Sequence, residues 1–264
     1  MALHGFHKMH GLGNDFVIFD ARKAGLPLDS ATVRQIAHRQ HGIGCNQLIV
    51  MEPSAQADFF MRIYNQDGGE VEACGNATRC VTWLAGRDVT IDSAGGMLHG
   101  RIGDRGVSVD MGEPRFGWDQ IPLGYAMDTA HLPLAWEMLD DPMAVNIGNP
   151  HVIFFVADSN AVDLERLGPV IEHDPVFPER VNVNVAHVGD DGVHLRVWER
   201  GVGLTLACGT GACATAVAAI RRKLASSPVT VHLPGGVLEI AWAEGGLITM
   251  IGPVAHVFTG EIDL

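Results

Sequence analysis

No run of some 18 apolar residues occurs anywhere in the 264-residue sequence, so no segment reads as a membrane span. The N-terminal stretch MALHGFHKMHGLGNDF also lacks an apolar core of signal-peptide length, and the cytoplasm is the expected compartment. Basic residues are scarce, with 18 Lys+Arg against 31 Asp+Glu and a formal net charge of -13. That balance argues against nucleic acid or an anionic membrane as partner and favours a small-molecule role. The five cysteines, Cys45, Cys74, Cys80, Cys208 and Cys213, are odd in number and show no Cys-x-x-Cys spacing. These cysteines do not read as a disulfide framework or a structural zinc site, and most are expected as reduced thiols. The Gly-rich GVGLTLACGTG has no phosphate-loop lysine and follows no βαβ dinucleotide fingerprint. His4, His7 and His10 are spaced by three, but in an extended segment they alternate or are solvated rather than gather on a metal.

Hydrophobic residues make up 47% of the chain, which suffices for a substantial core. Short runs bounded by Gly, Pro and Asp read as strands at 15–20, 58–65, 88–92, 106–111, 151–156, 192–199 and 228–233. Helices are fewer. One is expected over 30–41, beginning at a Ser cap after Asp29, and another over 75–86. A third, over 209–224, is apolar nearly all round, as an enclosed helix must be. The fold class is therefore α+β, rich in strand.

Internal repetition organises the rest. Pairing Arg62 with Arg196 sets an offset of 196 − 62 = 134, which also pairs Gly69 with Gly203, Ala73 with Ala207, Cys74 with Cys208 and Gly75 with Gly209. GNDFVIF at 13–19 matches GNPHVIF at 148–154 with an offset of 135, so one single-residue deletion reconciles the two. Two ordered matches indicate a duplication. We expect two pseudo-symmetric domains, 1–118 and 119–252, joined near Pro114–Leu132, each a mixed sheet wrapped round a central helix. Residues 253–264 are expected to return to the first half.

Each half presents an Ala-Cys-Gly turn ahead of a helix, EACGNATRC at 72–80 and LACGTGACA at 206–214. Helix N-termini bind carboxylates and lower a thiol pKa from about 8.5 towards neutrality. Two such thiols on opposite sides of one carbon suit inversion of a carbon acid. One thiolate removes the α-proton, the other thiol returns a proton to the far face, and N–H groups hold the developing charge. No metal or other cofactor is needed for this chemistry. Cys45, Cys80 and Cys213 are expected in the core.

HGLGNDFVIFD, HGIGCNQLIV, NQDGGEVEACGN, IGNPHVIFF, FPERVNVNVAHV and ERGVGLTLACGTGACA together resemble the diaminopimelate epimerase family over essentially the whole chain. The resemblance implies a cofactor-independent isomerase that interconverts LL- and meso-diaminopimelate in lysine and peptidoglycan precursor biosynthesis. It makes Cys74 and Cys208 the acid–base pair. Gly75-Asn76 and Gly209-Thr210 would then receive the reacting carboxylate, and Asn14, Gln47, Asn65, Asn149, Asn182 and Arg200 would fix the substrate. It also implies that Glu199 receives the distal ammonium or tunes a thiol, and that His151 helps deprotonate Cys74. The expected partners are a small-molecule amino acid and, at most, a second copy of the chain in a homodimer.

Three positions depart from the family pattern: Asn46 stands where an acid is usual, Gly69 where Ser is common, and Ala77 where Gly is usual. Two rivals stand beside the epimerase. One is a two-thiol racemase of another amino acid, such as proline, hydroxyproline or histidine. The other is a non-catalytic protein that captures an amino acid, in which two matched cysteines would serve no purpose.

Overall fold

The structure, a computed structural model, describes residues 3–72 and 74–264. Ala73, which opens the first Ala-Cys-Gly turn, lies outside the described residues, as do the two N-terminal residues. Two compact units divide the chain. One takes the described residues up to Asp110 together with Ile251–Leu264, and the other takes Met111–Met250. Residues 111–118 go with the second unit, where Arg115 bridges to Asn146.

The strands of the first unit are β1 (Leu3–Gly11), β2 (Asn14–Asp20), β3 (Gln47–Glu52), β4 (Phe59–Asn65), β5 (Glu70–Val71), β6 (Val89–Asp92), β7 (Leu98–Gly103) and β8 (Gly106–Asp110). The second unit holds a small hairpin, β9 (Ala135–Trp136) and β10 (Leu139–Asp140), then β11 (Met143–Asn146), β12 (Pro150–Phe155), β13 (Asn182–Gly189), β14 (Gly192–Glu199), β15 (Gly203–Thr205), β16 (Val229–Leu233) and β17 (Gly236–Ala241). β18 (Thr249–Gly252) runs across the unit boundary, and β19 (Ala255–Asp263) pairs antiparallel with β1 in the first unit. Among the described residues four α-helices accompany them: α1 (Ser30–Ala37), α2 (Gly75–Ala85), α3 (Leu164–Glu172) and α4 (Gly209–Arg221).

In the first unit β2 and β3 run parallel and read FVIF and LIVM, apolar without alternation, because both of their faces are covered. Phe16, Ile18, Ile49 and Met51 pack on Ala77, Cys80 and Val81 of α2. Their strand neighbours Val17, Phe19, Leu48 and Val50 point the other way, onto Val33 and Ile36 of α1. The period of two thus feeds two cores from one pair of strands. α2 also lies against β1, β7 and β8. It approaches β7 so closely that a Cβ on Gly100 would fall 1.9 Å from Thr82 Oγ1, which only glycine permits.

In the second unit α4 lies against β11, β12, β13, β14, β16 and β17, and Gly211–Ala219 is buried throughout. Its alanines let strands close round it from every side. The other face of the sheet carries α3, where Leu164, Leu167 and Ile171 meet Val152, Phe154, Val183 and Val185.

Strand register repeats between the units. Phe16 lies opposite Gln47 in the first, and His151 opposite Asn182 in the second, each 135 residues on. Phe59 of β4 pairs with β6 in parallel, as Val193, 134 residues on, pairs with β16. Both offsets read from the sequence therefore recur as hydrogen-bonded register.

Several local expectations change. α3 was not anticipated, because Gly168 and Pro169 interrupt its pattern. The glycine is required there, since a Cβ would sit 2.5 Å from the Trp198 ring. α1 is capped by Asp29, whose Oδ1 accepts from Thr32 N at 2.7 Å, and not by Ser30. α1 stops at Ala37 rather than 41, because Gly44, at φ +77, turns the chain back to donate to Ile36 O. Among the described residues no helix is long and apolar enough to cross a membrane.

Candidate active site

Cys74 is the N-cap of α2 and Cys208 the N-cap of α4, both extended, with φ −150 and −122. The first N–H groups of each helix have no intrahelical acceptor and point towards the cap. In the first unit the β1–β2 hairpin aims a side chain at this end. It turns through Leu12 and Gly13, at φ 56 and 87, the left-handed pair of a tight two-residue loop. A leucine at positive φ is strained. Gly11 lies so near α2 that a Cβ would meet Asn76 Cβ at 3.3 Å.

The hairpin delivers Asn14, whose Oδ1 accepts from Asn76 Nδ2 at 3.1 Å and from Cys74 Sγ at 3.8 Å. On the adjoining strands Gln47 and Asn65 face one another, with Gln47 Nε2 donating to Asn65 Oδ1 at 3.0 Å. Gln47 Oε1 and Asn76 Oδ1 are buried acceptors with no hydrogen-bond partner. Such oxygens are rare in folded proteins and point to a donor supplied from outside. Asn14, Asn76 and Cys74 are thus linked directly, with Gly75 between the last two, while Gln47 and Asn65 form a separate pair in the same unit.

The second unit builds a denser cluster. Cys208 is buried, its Sγ accepting from Gly211 N at 3.4 Å and lying 3.5 Å from Thr210 Oγ1. The Glu199 carboxylate, whose charge acts on the Cys208 thiol, accepts from Thr205 Oγ1 at 2.5 Å. Burial first, and then the charge of Glu199, push the Cys208 thiol well above its ordinary pKa, against the opposing hydrogen bonds from Thr210 and Gly211. This corrects the expectation of a lowered value. A helix end contributes roughly 0.3–1 kcal/mol, whereas full burial shifts a pKa by up to about 3–5 units, so desolvation wins. Glu199 is itself raised by burial.

His151 is fully buried. Its Nδ1 receives Asn184 Nδ2 at 3.1 Å, and its Nε2–H donates to Asn149 Oδ1 at 2.8 Å. Burial drives its pKa down to about 3. Both nitrogens are engaged and a ring proton is costly, so the ring is built to hold Asn149 rather than to take up a proton. Asn182 spends its amide on Pro150 O, 2.9 Å, and on the backbone N–H of Arg200, 3.0 Å. The Arg200 guanidinium is exposed and donates to Glu179 O at 3.0 Å. Cys45, Cys80 and Cys213 have no exposed surface.

Asn184 and Thr205 belong to this cluster and were not anticipated. Asn184 shares a face of β13 with Asn182 by the period of two, a signal visible in NVNV. Thr205 offered none, since it reaches Glu199 only through the β14–β15 pairing.

A family model described as diaminopimelate epimerase matches residues 6–117 and 143–257. The diaminopimelate epimerase of Rhizorhabdus wittichii is 63% identical over 261 residues, spanning 98% of this chain and 95% of that protein. The chain belongs to the diaminopimelate epimerase family. The relative from Zymomonas mobilis is 56% identical over 260 residues, 98% of this chain and 97% of its own. Among solved structures, a phenazine biosynthesis protein of the PhzF family from Enterococcus faecalis superposes with a TM-score of 0.75 at 15% identity, covering 100% of both chains. A hydroxyproline epimerase from Agrobacterium vitis gives 0.65 at 14%, covering 98% of this chain and 92% of that one. These more distant likenesses are of fold.

Departures from the diaminopimelate epimerase pattern are absorbed locally. Asn46 Oδ1 accepts from Asp15 N at 3.1 Å, so the amide keeps an acceptor where an acid is usual. Gly69 N donates to Asp67 Oδ1 at 2.8 Å. Ala77 is buried in the first unit's core.

Proposed function

We propose that this chain interconverts LL- and meso-diaminopimelate by a cofactor-independent, two-base mechanism, supplying meso-diaminopimelate for lysine and peptidoglycan precursors. A thiolate takes the proton from the α-carbon, and the electron pair left behind spreads into the α-carboxylate. The opposite thiol then gives its proton to the other face of the carbon. Each turnover leaves the proton on the other sulfur, so the reverse reaction is the same chemistry run backwards.

The observation that carries this reading is the matched placing of Cys74 and Cys208, each at the N-cap of the enclosed helix of its own unit. The first-turn N–H groups at Gly75-Asn76 and Gly209-Thr210 suit a carboxylate whose charge grows in the transition state. The Glu199 carboxylate beside Cys208 supports that thiol as proton donor in the resting enzyme, with Cys74 the sulfur that abstracts first. The unsatisfied oxygens of Gln47 and Asn76 support reception of a substrate ammonium, with Asn14 and Asn65 orienting them. Arg200, its backbone held by Asn182, suits a bidentate clamp on the distal carboxylate, and His151 acts as a positioning residue through Asn149. A second copy of the chain is proposed as partner. Val257 and Phe258 of β19, with Trp83, support this as exposed apolar groups in the first unit, and the test is the mass in solution.

The catalytic test is incubation with LL-diaminopimelate in D2O. Deuterium at Cα together with conversion to the meso isomer is expected, and Cys74→Ala and Cys208→Ala should each abolish turnover with circular dichroism unchanged. Retained turnover in either variant would refute the two-base reading. Absence of any exchange would instead favour an amino-acid binder, and exchange confined to another amino acid would favour a racemase of that substrate.

A further inference from the structure

We propose that Asp191, His194 and His232 form a divalent transition-metal site of the zinc type, remote from the thiol chemistry. The hairpin β13–β14 turns at Asp190-Asp191, and β14 then runs parallel to β16, with His194 directly opposite His232. Their strand neighbours Val193 and Val231 are fully buried, so the two imidazoles occupy the opposite face, where both are partly exposed. Their rings stack with centroids 4.6 Å apart and planes 11° from parallel.

Both Nε2 atoms converge on one carboxylate. His194 Nε2 lies 2.8 Å from Asp191 Oδ1, and His232 Nε2 lies 3.5 Å from Asp191 Oδ2 and 3.1 Å from Asp191 O. The three donor atoms lie within 4.8 Å of one another. Bonds of about 2.0–2.1 Å at tetrahedral angles separate two ligand atoms by roughly 3.3 Å, so the donors stand near the spacing zinc requires, and ligation would turn the His232 ring out of the stack to bring its in-plane lone pair onto the metal that His194 and Asp191 hold. Two nitrogens and one carboxylate suit zinc or cobalt. They do not suit calcium or magnesium, which take oxygen ligands.

Two further features favour a ligand. His187, opposite His194 on β13, stacks on it at 4.6 Å and 3°, and its Nδ1 is fixed by Ser159 N and Oγ at 3.2 and 2.9 Å. That buttress holds the plane of the His194 ring by stacking. Gly189 keeps space beside the donors, since a Cβ there would come 3.1 Å from Asp191 Oδ1 and 3.4 Å from His194 Nε2. Bound metal would tie β14, which leads towards α4, to β16, which follows it. It would clamp both ends of the segment that carries Cys208.

The test is equilibrium dialysis of the full chain against zinc at neutral pH, after its reactive thiols are blocked with iodoacetamide so that sulfur cannot ligate. One equivalent of zinc is expected, with a rise in Tm. His232→Gln and Asp191→Asn should each weaken binding by at least about tenfold, with circular dichroism and metal-free kcat unchanged. No zinc uptake by the thiol-blocked protein at submillimolar metal would overturn the proposal. So would uptake that both variants retain in full.

Discussion

Gly211 offers a sharp test of how the second cysteine is held. A Cβ at this position would meet Asn184 Oδ1 at 2.8 Å, Val197 Cγ2 at 3.1 Å and Cys208 Cβ at 3.3 Å. Ordinary contact begins at 3.4 Å, so the first clash alone asks for a shift of about 0.6 Å (3.4 − 2.8). Asn184 has no freedom to yield, because its amide nitrogen is held by His151 Nδ1 and Val152 O at 3.1 and 3.0 Å. The first turn of α4 must move instead, and Cys208 moves with it. Overpacking of this kind costs about 1–3 kcal/mol, and replacing glycine by alanine in a helix returns at most about 1 kcal/mol. Gly211→Ala is therefore expected to lose about 1–2 kcal/mol, read as a fall in Tm of roughly 2–8 °C. Catalysis should suffer more than folding. Displacement of a reacting group by about 1 Å costs on the order of a hundredfold, so a loss of at least about tenfold in kcat is expected. Urea unfolding and steady-state epimerisation measure the two effects. A variant with wild-type kcat, or one stabilised as an ordinary helix glycine would be, refutes the reasoning.

His151→Gln should change the pH dependence of stability. The folded pKa of His151, about 3, lies below the ordinary histidine value of 6.5, so the unfolded chain takes up the proton first as pH falls. Its contribution is complete above that value and is lost on acidification, at up to about 1.4 kcal/mol per pH unit. Glu199, raised in the fold, acts with the opposite sign, so the readout is the difference in slope between wild type and variant, which should be flatter. An identical slope would remove His151 as a buried neutral base. Glu199→Gln removes the charge that helps hold the Cys208 thiol up, so iodoacetamide labelling of Cys208, followed by mass spectrometry, should titrate at lower pH. Burial remains the larger cause, so the shift is partial; an unmoved profile counts against the contact. Gly168→Ala forces a Cβ to within 2.5 Å of the Trp198 ring and should cost about 1–3 kcal/mol in urea unfolding. Unchanged stability there would show that α3 can slide on β14.

The duplication was legible because both copies kept their motif residues, and strand register preserves the same spacing of 135 between Phe16–Gln47 and His151–Asn182. Catalytic thiols at helix starts were legible for the same reason. Their electrostatics were not. A helix terminus can be read from a sequence, whereas the burial that raises Cys208 arises only when strands close round α4. α3 escaped notice because its Gly168-Pro169 breaks the helical pattern for the sake of Trp198, a partner about thirty residues further on. Asp191 and His194 stand three apart in sequence, but His232 joins them only through the parallel pairing of β14 with β16. Sites assembled across strands leave no local spacing to read.

The pairing of β1 with β19 sets an order on synthesis. The second unit is contiguous, Met111–Met250, and every strand it needs has been synthesised before residues 255–263 are made. The first unit begins earlier and finishes later. Until β19 arrives, β1 is paired on one side by β2 and offers its other edge unprotected, over the length from Leu3 to His10. An open edge is a template for any passing strand. The half that emerges first is therefore the one that waits, with its β1 edge open for as long as the second half is being made.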